Sequence, residues 1–219
     1  MATAATRTAI IELVVLANNQ APGTTLLGEL ITLSDSGKSL TEIAAVLTAS
    51  ASFKATYPTF ATPLEFAKEF LSIAIPAATA EVQLAGAELI ESLMNAGASR
   101  ADILVAASAF LATPEAAADV SFGNAAATFQ NKSEVAEYVT ITLELDTGLD
   151  AAIADVTEDA ATVETVKDTL DPTFITPAEV TAAIAASAAA ATAADASAAA
   201  AATAATAAAA AITAAQAAD

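Results

Sequence analysis

The sequence predicts an all-α protein: a multi-helix domain of short helices over residues 1–172, followed by one long alanine-rich C-terminal helix over residues 173–219. Three observations carry that expectation. Apolar residues recur at helical spacing through most of the chain. Capping boxes and Pro or Gly punctuation cut the first region into short pieces. Composition then changes abruptly: from Ala178 to Asp219, 28 of 42 residues are Ala and none is basic.

Taken in order, the first helix is amphipathic, with Ile10, Leu13, Val14 and Ala17 on one face. Its apolar stretch from Ala9 to Ala17 is interrupted by Glu12 and is too short to span a bilayer. No small-residue cleavage site follows, so no leader is expected to be removed. Turns fall at Pro22-Gly23 and Ser36-Gly37. Capping boxes open helices at Ser39-Leu40-Thr41-Glu42, Thr62-Pro63-Leu64-Glu65 and Asn131-Lys132-Ser133-Glu134. Phe66, Phe70 and Ile73 continue the second of these until Pro76. A helix from Glu81 to Met94 carries Leu89, Leu93 and Met94, with Gly86 placed for a close helix crossing. Asn95-Ala96-Gly97, Pro114 and Thr147-Gly148 are further breaks. Val139 to Leu145 alternates like a strand, but a lone strand has no partner, so helix is expected there. Thr176-Pro177-Ala178-Glu179 then caps the tail with Pro at the first helical position. Alanine is the best helix former, and a helix from Pro177 to Ala218 would run about 60 Å.

Composition excludes much chemistry. The chain has no Cys, His or Trp, which removes a thiol nucleophile, a Ser-His-Asp triad and the usual zinc sites. A net charge of −19 would repel phosphate backbones, so no nucleic-acid partner is expected. The lack of cysteine suits an extracellular product. Acidic residues concentrate between Glu144 and Asp171, where Asp146 and Asp150 flank Thr147-Gly148-Leu149 as weak calcium candidates. The spacing does not fit the twelve-residue calcium loop, and a solvated acidic surface is the simpler reading. Paired carboxylates of a glycosidase would need a sugar platform that so few aromatics do not supply. Phe53, Tyr57, Phe60, Phe66 and Phe70 read as core, and the glycines are scattered singly rather than gathered in a phosphate loop. Neither an enzyme nor a bound cofactor is expected, calcium aside.

Several segments, in order, resemble one known helical domain. They include Ala21-Pro22-Gly23, Gly37-Lys38-Ser39-Leu40-Thr41-Glu42-Ile43-Ala44 and Ser52-Phe53-Lys54-Ala55-Thr56-Tyr57-Pro58. Asn95-Ala96-Gly97-Ala98-Ser99-Arg100-Ala101-Asp102 and Asn131-Lys132-Ser133-Glu134-Val135-Ala136-Glu137-Tyr138 continue the series. The domain is one of unknown function at the N-termini of type I-secreted RTX-type and bacterial surface-layer proteins. The likeness covers about residues 8 to 171. Thr25-Leu26-Leu27-Gly28 replaces the family's aromatic pair, and no Gly-Asp-rich calcium repeats or β-rich lattice domain follow. The resemblance implies a secreted, surface-associated, non-enzymatic protein.

In the tail, Thr181, Thr192 and Thr203 lie eleven apart and share a helical face. That spacing is similar to alanine-rich antifreeze helices, although position 214 is Ala. Ala189 and Ala200 share another face suited to close packing. These readings together point to a self-assembling subunit of an extracellular bacterial filament, tubule or surface layer. Its partners would be copies of itself and a cell-surface component, with no membrane span. A secreted adhesion or binding module is the first alternative, and an ice-binding protein the second.

Overall fold

A computed structural model of the chain describes residues 2–76 and 78–171, together with 181–182, 184–189, 192–193 and 196. The chain divides into two units, Met1–Pro172 and Thr173–Asp219. In the first unit, eleven α-helices follow one another: α1 (Ala4–Asn18), α2 (Gly23–Asp35), α3 (Leu40–Ala49), α4 (Ala51–Thr56), α5 (Pro63–Ala74) and α6 (Ala80–Asn95) come first. Then come α7 (Arg100–Leu111), α8 (Pro114–Ala118), α9 (Gly123–Glu137), α10 (Ala151–Ala154) and α11 (Ala160–Leu170). A π-helical turn, Tyr138–Thr142, extends α9. No strand occurs among the described residues, and the protein is all-α.

The first helix departs from the amphipathic expectation. Ile10, Ile11, Leu13, Val14, Val15, Leu16 and Ala17 are all buried, so more than one face of this half of α1 is covered, with Glu12 half-buried among them. It packs against α2, α3, α4, α7 and α9 and serves as the axis of the unit. Six of the seven residues from Ile10 to Leu16 are large and apolar, more than a single face of a helix holds. Asn19 ends the helix in the left-handed conformation, φ 48°, and its N–H donates to the Val15 carbonyl.

The capping boxes at Ser39 and Thr62 form as expected. In each, the hydroxyl accepts from the third amide and the Glu carboxylate accepts from the cap amide. Ser99 and Asp102 make a third box, built with the shorter acid. The expected box at Asn131 does not form, because α9 already runs from Gly123 and the amides there have helical partners. Asn131 instead donates its side-chain N–H to the Thr157 carbonyl at 2.8 Å, tying α9 to the loop before α11. The strand-like stretch also resolves as helix through Thr142, with Val139 and Thr140 buried. The chain leaves the helix at Glu144, whose φ is 53°.

Helices α5 and α6 form a tight hairpin across Gly86. A Cβ there would lie 2.9 Å from Leu71 Cδ1, which is the close crossing expected of this glycine. Leu89 and Leu93, by contrast, stay on the outside of α6. Phe53, Tyr57, Phe66 and Phe70 form a buried aromatic cluster, with Phe66 stacked on Phe70 at 5.6 Å. Phe60 does not join it and is 88% exposed. It rides on a tight turn closed by the Ala61 N–H to the Pro58 carbonyl, which points the ring to solvent.

In the second unit, the described positions between 181 and 196 are helical and exposed. Thr192 turns its hydroxyl back to the Ala188 carbonyl at 3.0 Å. The remainder of the expected tail helix, including its capping box at Thr176, lies outside the described residues.

Two outcomes test this packing by urea unfolding. Leu13→Ala should remove about 2–5 kcal/mol of stability, whereas Phe60→Ala should stay within about 0.5 kcal/mol of the parent. Glu12 adds a pH signature: burial first, then Glu137 of α9, raises its pKa. Its ionised form therefore destabilises the fold above that raised pKa. Glu12→Gln should stabilise the protein at pH 7, and the gain should fade on acidification, vanishing below the unfolded carboxyl value of about 4.3.

Candidate functional site

Asp146 is held by the start of α2. Helix α2 begins at Gly23 after Pro22, which offers no side-chain cap, so its first amides need a partner from elsewhere. The loop after the π-helical turn supplies one. Asp146 Oδ1 accepts from the Thr25 N–H at 2.8 Å, and Oδ2 accepts from the Thr24 and Thr25 hydroxyls at 2.6 and 2.9 Å. The Thr24 N–H donates to the Leu145 carbonyl, and the Ala21 N–H to that of Leu149. Gly23 sits at φ 70°, where an added Cβ would meet Asp146 Oδ1 at 2.8 Å. Bonds from the Thr24 hydroxyl and then the Thr25 amide lower the Asp146 pKa.

The other calcium candidate, Asp150, stands at the start of α10 and caps nothing with its side chain. Among the described residues, no three acidic side chains gather as a metal would need. In the tail, Thr181, Ala189 and Thr192 lie at exposed helical positions, while Ala200 and Thr203 lie outside the described residues.

Two further anchors went unread in the sequence. Arg100, at the first turn of α7, donates to the Tyr57 and Pro58 carbonyls at 2.8 and 2.9 Å. Its guanidinium also lies over the Phe66 ring, 4.7 Å from the centroid. One side chain thus fixes the α4–α5 turn and covers the aromatic cluster. At the end of the unit, Lys167 of α11 pairs with Glu134 of α9 and lies over the Tyr138 ring. The Tyr138 hydroxyl donates to Asp171 at 2.7 Å. Isolated Arg and Lys residues in a chain so poor in cations were the available signal, but their partners are distant in sequence.

Concave sites are shallow. A polar cleft of about 370 Å³ is lined by Thr79, Asp119, Ser121, Asn124 and Glu158. Asp119 already accepts from the Ser121 and Phe122 amides, which orders the loop. An apolar dimple of about 70 Å³ lies between α5 and α7, walled by Phe110 and Phe122. Ligand pockets are usually enclosed, apolar and about 300–1,000 Å³, with a few convergent polar groups. Neither hollow meets that description.

The larger feature is surface. Helix α6 packs chiefly on α5, and on its outer side Leu89 and Leu93 are 61% and 42% exposed. In the second unit, Ile184 is 65% exposed on a helix of alanines. Among the described residues, no helix is long and apolar enough to cross a membrane. Comparison with known proteins found no matching family model, no matching curated protein and no matching solved structure.

Substitution at the two anchors gives separable outcomes. Asp146→Asn should lower the melting temperature at pH 7, and the difference from the parent should shrink as pH falls through the depressed Asp146 pKa, since the carboxylate is then lost in the parent too. Arg100→Lys keeps the charge but loses the planar fork, and should cost about 1–3 kcal/mol in urea unfolding.

Proposed function

We propose that this chain is a structural, self-assembling subunit of an extracellular bacterial filament, tubule or surface layer. The observation that carries the reading is the alanine-rich helical segment, whose described residues are all exposed, Ile184 included. A helix bare of large polar side chains gains little from water and allows very close approach of another backbone. The helical unit before it offers packed anchors in place of reactive groups. Lys167 fastens its last helix to Glu134 of α9, and Asp171 accepts from Tyr138 of the π-helical turn.

Export to the cell surface follows from the resemblance to domains of type I-secreted and surface-layer proteins, and the cysteine-free composition agrees with it. Copies would meet as like-charged bodies, each with a formal charge of −19, so assembly should strengthen with ionic strength as that repulsion is screened. Divalent cations would act in the same direction.

Electron microscopy of the purified protein tests the proposal. Ordered polymers are expected, more abundant at high salt. Removing residues 178–219 should leave a soluble helical protein that no longer polymerises. If the full chain stays monomeric across salt and concentration, the structural reading fails. Polymers of unchanged form from the truncated chain would show that the tail is not the assembly element.

A further inference from the structure

We infer that the outer seam of α6 is the docking surface for the alanine-rich helix of a second copy, a contact that rests on the assembly reading above and names its two faces. Val82, Ala85, Leu89 and Leu93 fall at three- and four-residue steps along α6, on one side of the helix. Val82 is half-buried, and the other three are exposed. Ala87 and Ile90, the buried residues of α6, lie on its inner side. The seam is therefore apolar surface that the α5–α6 hairpin leaves uncovered.

Two properties select the occupant. The first is charge. Helix α6 carries Glu81, Glu88 and Glu91 and no basic residue, so a face bearing carboxylates would be repelled. Residues 181–193 of the tail carry no charge at all, so this stretch of a second copy brings no carboxylate to the seam. The second is shape. Leu89 and Leu93 project from α6, while Ala185 and Ala188 lie between Thr181 and Thr192 on one low face, with Ile184 at its margin. Leucine knobs enter the spaces between small side chains, as ridges fit grooves. Thr192 places no polar demand on such a contact, because its hydroxyl already donates to the Ala188 carbonyl.

The two faces differ, so the contact is heterologous. Each copy offers one seam and one tail, and the chain of contacts propagates unless the geometry closes a ring. That is the connectivity a filament or layer requires.

Sedimentation velocity on full-length chains tests this directly. One variant, Leu89→Ser with Leu93→Ser, spoils the seam. The other, Ile184→Glu with Ala188→Glu, spoils the tail. All four positions are exposed, and circular dichroism should show both variants as helical as the parent. The parent should grow in mass with concentration, and each variant alone should need at least about tenfold more protein to associate. An equimolar mixture should stop at heterodimers, since it holds one intact seam and one intact tail per pair. If the parent itself never associates, the assembly reading falls, and this inference with it. If the parent associates but the seam variant associates equally well, the docking surface is wrong while the assembly reading stands. A mixture that stays monomeric, or that grows as the parent does, would also overturn the pairing.

Discussion

Large apolar side chains are scarce in this protein, and the fold is organised around that scarcity. Hydrophobic residues make up 56% of the chain, yet much of that is alanine and only 5% is aromatic. Burial stabilises by roughly 25 cal/mol per Å² of apolar surface, so an alanine contributes little. Buried Ile, Leu and Val are densest on α1, where the apolar residues between Ile10 and Ala17 face five other helices. Each helix around α1 needs only one buried face. The aromatic cluster of Phe53, Tyr57, Phe66 and Phe70 repeats the strategy on a smaller scale beside it.

Around this core, scarce cations and well-placed carboxylates act mainly on backbone and on helix ends. Arg100 binds two carbonyls of a turn, and Asp146 stands in for the missing cap of α2. Lys132 reaches the side-chain carbonyl of Asn19 just past the end of α1. Such contacts fix where loops lie, and loops are where a small helical protein loses definition first. Among the described residues, most carboxylates remain at the surface, where water solvates them.

The same division explains the functional reading. The first unit keeps most of its large side chains inside, and the exposed ones include the leucines of α6, Phe60 and Val120.

Local chemistry made much of this legible in the sequence. The all-α class, the boxes at Ser39 and Thr62, the turns at Ser36-Gly37 and Asn95-Ala96-Gly97, and the tight place at Gly86 all depend on residues within one helix turn of each other or on glycine's missing Cβ. What the sequence withheld depends on partners far along the chain. Asp146 could be seen as an acid near a turn, but its hydrogen-bond partners Thr24 and Thr25 lie 122 and 121 positions away in the chain. Asn131 carried a capping pattern that an already continuous α9 left unused. Leu89 and Phe60 look like core by type, and only the packing of neighbouring helices left them outside. Spacing along the chain reports which side chains share a face. Which faces are covered is decided by how the helices pack against one another in three dimensions, and no local pattern encodes that.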